Sequence, residues 1–265
     1  MSHEQQHIDV RRHGDGGHVV EIVLDRPGAH NALSTAMARE LAEVTRSVAA
    51  DGAVRAVVLS SGAAKAFCVG ADLKERNAFG DAELMAQRPH YQAAFGGVLD
   101  LPVPTVAAVH GFALGGGFEL ALSCDLMVCD ETAVLGLPEV TVGVIPGGGG
   151  TQLLARRIGS SRAADLIFTG RRVDVAEAER LGILDRRVAA GEDRAAALEL
   201  ASVIAANSPV GLRNAKRALR MALGTDLATG LMVEDSAWRA TAFSPDRAEG
   251  VAAWAEKRRP EWPGL

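Results

Sequence analysis

Three short apolar runs constrain this chain more than any other feature. Residues 55–60 (RAVVLS), 105–110 (TVAAVH) and 125–129 (DLMVC) lack the alternation of a strand with one wet face. They read as strands buried on both sides. Each runs out into small residues, at 63–72, 111–117 and 131–138, and helix-like segments separate successive strands. That order predicts an α/β chain of short strands joined by crossover helices.

The flanking segments fit the same frame. Residues 19–24 read as a strand that stops at Arg26-Pro27-Gly28. Ser34 is placed to cap a helix whose Met37, Leu41, Val44 and Val48 make one apolar stripe, closed by Asp51-Gly52. After about residue 190 the strand pattern disappears, and 194–206, 209–223, 226–241 and 245–257 read as helices. Their apolar positions, including Trp238, Phe243 and Trp254, exceed what so small a segment buries alone, which predicts docking on a core or a second subunit. At 265 residues and 48% hydrophobic content the chain reads as one globular unit, with a core over 1–195 and a helical region over 196–265.

Composition excludes several classes of function. A formal charge of −5 argues against nucleic acid or an anionic membrane as partner, and no apolar stretch reaches the roughly 18 residues of a membrane span. Cys68, Cys124 and Cys129 are odd in number and lack zinc-site spacing, so they read as buried reduced thiols, and a cytoplasmic enzyme is expected. The first eighteen residues are polar, and His3, His7, His13 and His18 read as part of a solvated arm with no metal site.

The chemistry is concentrated in three stretches. Across 103–122 only His110 and Glu119 can ionise, and Gly115, Gly116 and Gly117 precede a predicted helix. Glycines there let backbone N–H groups approach a ligand, and the helix N-terminus adds positive potential. Glu119 lies about one turn further on, as an acid/base group or merely as a capping or ion-paired glutamate. Across 132–155 Glu139 is the only ionisable side chain. Two carboxylates beside Gly-rich turns suit a reaction in which one proton leaves water and another reaches carbon. The glycines at 147–150 complete neither phosphate-loop nor dinucleotide spacing and read as a tight loop before a helix beginning near Thr151. In 65–74 the backbone N–H of Ala71, with that of Gly116, supplies two donors for a thioester oxygen. Lys65 and Lys74 are candidate phosphate contacts or simply solvated, and Cys68 reads as packing.

The motifs LDRPGAHNALS at 24–34, KAFCVGADLKE at 65–75, PTVAAVHGFALGGGFELALSCDL at 104–126, GLPEVTVGVIPGGGGTQLLARRIG at 136–159 and the closing FSPDRAEGVAAWAEKRRPEW resemble those of the crotonase, or enoyl-CoA hydratase/isomerase, family. The resemblance runs from about residue 19 to 262. It implies a crotonase-like spiral of ββα units followed by a C-terminal helical trimerisation region, giving a homotrimer or a homohexamer built as a dimer of trimers. It implies an acyl-CoA substrate lying against Arg26, Ala29, Ala71, Asp72, Leu73, Lys74 and Gly116, with coenzyme A as part of the substrate and no separate cofactor. Ala71 and Gly116 form the implied oxyanion hole. Glu119 deprotonates water and Glu139 supplies a proton to Cα, which makes the expected activity that of an enoyl-CoA hydratase in fatty-acid or related acyl-CoA breakdown. The family also holds Δ3,Δ2-enoyl-CoA isomerases, which need only the later glutamate, and non-catalytic acyl-CoA or RNA binders are a third class. Phe118 is expected to narrow the acyl pocket, and 75–91 to form a mobile wall of it.

Overall fold

The computed structural model describes residues 6–265. The chain opens with β1 (Ile8–His13), antiparallel to β2 (Val19–Leu24) with Ile8 opposite Leu24. The solvated arm expected there is therefore corrected. Every residue of β2 is buried, so its outer edge needs a partner, and the polar β1 supplies one while burying Ile8. His13 Nε2 lies 2.9 Å from Glu21 and His18 Nδ1 lies 2.8 Å from the Ala53 carbonyl, whereas His3 lies outside the described residues.

After β2 comes α1 (Thr35–Ala50), and the Ser34 hydroxyl accepts the Met37 N–H at 3.2 Å as its cap. The apolar stripe packs inward, with Met37, Leu41 and Val48 buried and Val44 partly so. A repeat then begins. Its first turn is β3 (Ala56–Ser61), β4 (Ala66–Cys68), α2 (Leu73–Arg76) and α3 (Asp81–Leu99). The second is β5 (Thr105–Val109), β6 (Phe112–Leu114) and α4 (Gly116–Ser123). The third is β7 (Leu126–Asp130), β8 (Val134–Gly136), a 3-10 turn at Glu139–Val142, α5 (Gly150–Ile158) and α6 (Ser160–Thr169). Next come β9 (Arg172–Asp174), α7 (Val175–Leu181), β10 (Arg186–Val188) and α8 (Asp193–Ala205). The chain closes with α9 (Pro209–Ala222), α10 (Leu227–Ala242) and α11 (Pro245–Glu256).

The first strand of each turn joins a six-stranded sheet ordered β1-β2-β3-β5-β7-β10, and the second joins a four-stranded sheet ordered β4-β6-β8-β9. From β2 onward the larger sheet is parallel, so successive turns stack as a spiral. The uniformly apolar runs are explained by cover on both faces. Val57, Leu59, Ala107, Val109, Met127 and Cys129 face the main core, while Ala56, Val58, Val106, Ala108 and Val128 face α8 through Ala197, Leu200 and Ala201. The expected division at 195/196 thus falls inside a helix that covers the sheet. The smaller sheet is a finding beyond the sequence: β4, β6 and β8 lie in the small-residue stretches at 63–72, 111–117 and 131–138 that read as loops.

The four C-terminal helices lie close to their expected bounds. Lys216 anchors α9, donating to the Val103 carbonyl and to Asp125, each at 2.8 Å, and Arg220 adds a second contact to Asp125 at 2.7 Å. On the single chain Trp238, Phe243 and Trp254 stay 65%, 90% and 83% exposed.

Candidate active site

Because β4, β6 and β8 run parallel, the segments that leave their ends meet. Ala71 follows β4, Gly116 follows β6, and Glu139 follows β8. Glycine makes the approach possible. At Gly117 a Cβ would sit 1.9 Å from the Cys68 carbonyl oxygen, and at Gly70, with φ +86°, it would sit 2.8 Å from that of Leu114. Leu33 pairs with this loop, donating to Gly70 O at 2.7 Å and accepting from Asp72 N at 2.8 Å. The Ala71 N–H is thereby turned away from Leu33. Among the described residues neither it nor the N–H of Gly116, the first residue of α4, donates to another group of the chain.

Glu119 is buried on α4 and among the described residues has no cationic hydrogen-bond partner. Its Oε1 accepts from the N–H of Gly148 at 2.7 Å and of Gly150 at 2.8 Å. Burial pushes its pKa above the ordinary value, opposed by these amides and by the charge of Arg88. The 147–150 run is therefore a cradle for a carboxylate as well as a loop, and α5 starts within it, at Gly150. A lone glutamate and a distant four-glycine run were the only signals of that pairing in the sequence.

Glu139 is held differently. It heads the 3-10 turn, its Oε1 lies over Gly115 where a Cβ would be 3.1 Å away, and its buried Oε2 has no hydrogen-bond partner among the described residues. The Gly115 carbonyl accepts the Glu119 N–H at 2.9 Å, so the two glutamates share one turn of backbone. Burial, aided by the neighbouring Glu119 charge, pushes the Glu139 pKa up to about 7. A carboxyl that is half-protonated near neutrality can give or take a proton.

The residues expected along a coenzyme also come together. Arg26 Nη1 donates to the Ala32 carbonyl at 2.8 Å and to Asp72 Oδ2 at 2.6 Å, joining the turn that carries Ala29 to the segment that carries Leu73 and Lys74. Asp72 Oδ1 accepts the N–H groups of Lys74 and Glu75, capping α2. Both side chains of that pair are thus engaged within the chain, while Leu73 and Lys74 are exposed. Asn31, which the sequence reading passed over, locks the arrangement by donating to Ser61 and the Phe67 carbonyl and accepting from Arg26 N. Lys65 lies at the opposite end of β4 from Ala71.

Two expectations about the neighbours are revised or refined. Phe118 is wholly buried in the core and offers no surface with which to narrow a pocket, because it points away from the Glu119 side of α4. The 75–91 segment is helical at both ends, and its Gln87 bridges Thr35, Glu75 and Arg76. Further along α3, Phe95 packs where a Cβ on Gly116 or Gly148 would stand, 3.2 and 2.7 Å away. Cys68 is buried, with its pKa pushed up to about 12, which suits packing and not nucleophilic chemistry.

Known proteins share this arrangement of sequence and fold. The family described as Enoyl-CoA hydratase/isomerase matches residues 14–264. The human mitochondrial enoyl-CoA hydratase domain-containing protein 2 is 41% identical over 250 residues, 93% of this chain and 86% of that one. Mouse mitochondrial methylglutaconyl-CoA hydratase is 37% identical over 263 residues, 98% of this chain and 82% of its own. The crystal structure of enoyl-CoA hydratase from Bacillus anthracis superposes with a TM-score of 0.95 at 40% identity, covering 98% of this chain and all of that one. On its sequence and its fold alike, the chain belongs to the enoyl-CoA hydratase/isomerase family.

Proposed function

We propose that this protein is an enoyl-CoA hydratase, adding water syn across the double bond of a 2-enoyl-CoA thioester to give a 3-hydroxyacyl-CoA. The observation that carries the proposal is the unequal pair of buried carboxylates, one cradled by Gly148 and Gly150 amides and one with an orphaned oxygen. The cradled Glu119 takes a proton from water as its oxygen bonds to Cβ, and Glu139 in its protonated form delivers a proton to Cα. Between these events charge moves onto the thioester oxygen, where the N–H groups of Ala71 and Gly116 receive it. One such donor is typically worth about 3 kcal/mol of barrier. No step draws on a metal or a redox group. The coenzyme follows Arg26, Ala29 and the 71–74 segment, and exposed Trp238, Phe243 and Trp254 support assembly as a trimer or a dimer of trimers.

Loss of the 2-enoyl absorbance on mixing with crotonyl-CoA tests the activity, and no turnover there or on longer enoyl thioesters overturns it. A Δ3,Δ2-enoyl-CoA isomerase is the second reading, favoured by the partnerless Glu139 oxygen and its pKa near 7, which a single-base shuttle also needs. Glu119→Gln separates the two. It abolishes water addition by a hydratase and leaves most of the double-bond migration of a single-base isomerase. Sedimentation as a monomer overturns the assembly.

A further inference from the structure

One cation beside this site has no role in the scheme above. Arg88 lies on α3, and its Nη1 packs against Gly147, where a Cβ would be 2.7 Å away. Other arginines near the site are engaged: Arg76 with Gln87 and over the Tyr91 ring, Arg39 with His90, and Arg26 with Asp72. Among the described residues Arg88 donates no hydrogen bond and joins no ion pair. Its charge favours ionised Glu119, yet that carboxylate is bound by glycine amides and not by the guanidinium.

The position of Arg88 along α3 gives it a place relative to the substrate. Phe95 marks Gly116 and Gly148, hence the thioester oxygen and the carbon that water attacks. The backbone of Arg88 is seven residues earlier, about 10 Å along the helix at 1.5 Å per residue, and its side chain reaches back to Gly147. The glycine it packs against, Gly147, precedes Gly148 in the chain. The guanidinium is thus exposed and unpaired beside the Glu119 cradle among the described residues. Arginine's planar fork suits a carboxylate held by two parallel hydrogen bonds.

We infer that an acyl chain continuing past Cβ runs towards Arg88, and that Arg88 is a specificity residue that selects 2-enoyl thioesters whose far end carries a carboxylate. The inference rests on the hydratase reading and names the substrate class of that same site.

The test compares crotonyl-CoA with the CoA thioester of a five-carbon 2-enedioic acid, in wild type, Arg88→Met and Arg88→Lys. Wild type is expected to favour the carboxylated substrate. In Arg88→Met its kcat/KM falls at least about tenfold more than that of crotonyl-CoA, mainly through KM, and Arg88→Lys recovers part of the loss because the charge is kept without the fork. An equal fall for both substrates, with a shifted acid limb of the pH profile, overturns the inference and leaves Arg88 as a group that merely tunes Glu119. If wild type hydrates neither substrate, the hydratase reading fails separately. Calorimetry with the saturated five-carbon diacid thioester and butyryl-CoA then decides, and equal affinity in wild type and Arg88→Met overturns the selection.

Discussion

The two glutamates differ in what holds them. Glu119 ends against backbone donors, and at three of the four glycines at 147–150 a Cβ would collide with Arg88, with Phe95 or with Glu119 itself. Glu139 ends differently: among the described residues one buried oxygen has no hydrogen-bond partner. A satisfied carboxylate is part of the fold, and an unsatisfied one is kept at a cost in stability. The contrast separates a carboxylate that the fold itself satisfies from one that it leaves open, and each half of it can be broken by substitution.

The largest effect is on rate. Glu119→Gln and Glu139→Gln are each expected to lower kcat for hydration by about 10²–10⁴, the range for loss of a general acid or base. Hydration of crotonyl-CoA followed spectrophotometrically gives the number, and a loss under tenfold in either variant breaks the pairing. The two should also fail to add, because one proton balance needs both.

Next in size is a difference in stability. Glu119→Leu leaves the Gly148 and Gly150 N–H groups buried without an acceptor, which costs about 2–4 kcal/mol. Glu139→Leu removes a carboxylate whose outer oxygen had no partner, and should cost little or stabilise. Denaturant unfolding at pH 7 checks both, and equal destabilisation would mean that the cradle is not what distinguishes them.

How much of this was legible follows from the same contrast. The strands 55–60, 105–110 and 125–129 were readable because burial on both faces leaves an unbroken apolar run, and the helices after 190 because their stripes repeat at helical spacing. Glu119 and Glu139 stood out because nothing around them ionises. The smaller sheet did not, since three residues among glycines give no period, and β1 did not, since an edge strand needs few apolar side chains. Phe118 was misjudged because its neighbour Glu119 faces the site, and on a helix adjacent residues point about 100° apart. The Gly147–Gly150 cradle depends on a contact 29 to 31 residues distant, which no local pattern encodes.

A pH series sharpens the account of Glu139. Its folded pKa of about 7 lies above the ordinary 4.5, so the native state binds the proton more tightly than the unfolded chain. Nothing is lost while the group is protonated in both states, below about pH 4.5; the penalty grows as pH rises and is complete above about 7. Glu139→Gln should therefore stabilise the protein by about 1–3 kcal/mol at pH 8 relative to pH 4, read from paired unfolding curves. On the proposed hydratase reading the same proton sets catalysis, and hydration should decline about tenfold per unit above pH 7. A flat profile from pH 6 to 9 would remove Glu139 as the acid.

The smallest effect lies at the rim, where the contrast between held and unheld groups recurs. Asp72 and Arg26 are bound to each other, while Lys74, one residue past Leu73, is exposed and projects from α2. A solvated lysine meeting a coenzyme phosphate contributes about 0.2–1 kcal/mol and is screened by salt. Lys74→Ala is accordingly expected to raise KM for crotonyl-CoA up to about fivefold, more than it changes kcat, with the difference from wild type shrinking between low and high salt. Arg26→Met should do more, because it also releases Asp72 from the pair that joins the two segments proposed to follow the coenzyme. If Lys74→Ala instead lowers kcat and leaves KM in place, the 71–74 segment acts on the reacting oxygen through Ala71 and not on the coenzyme.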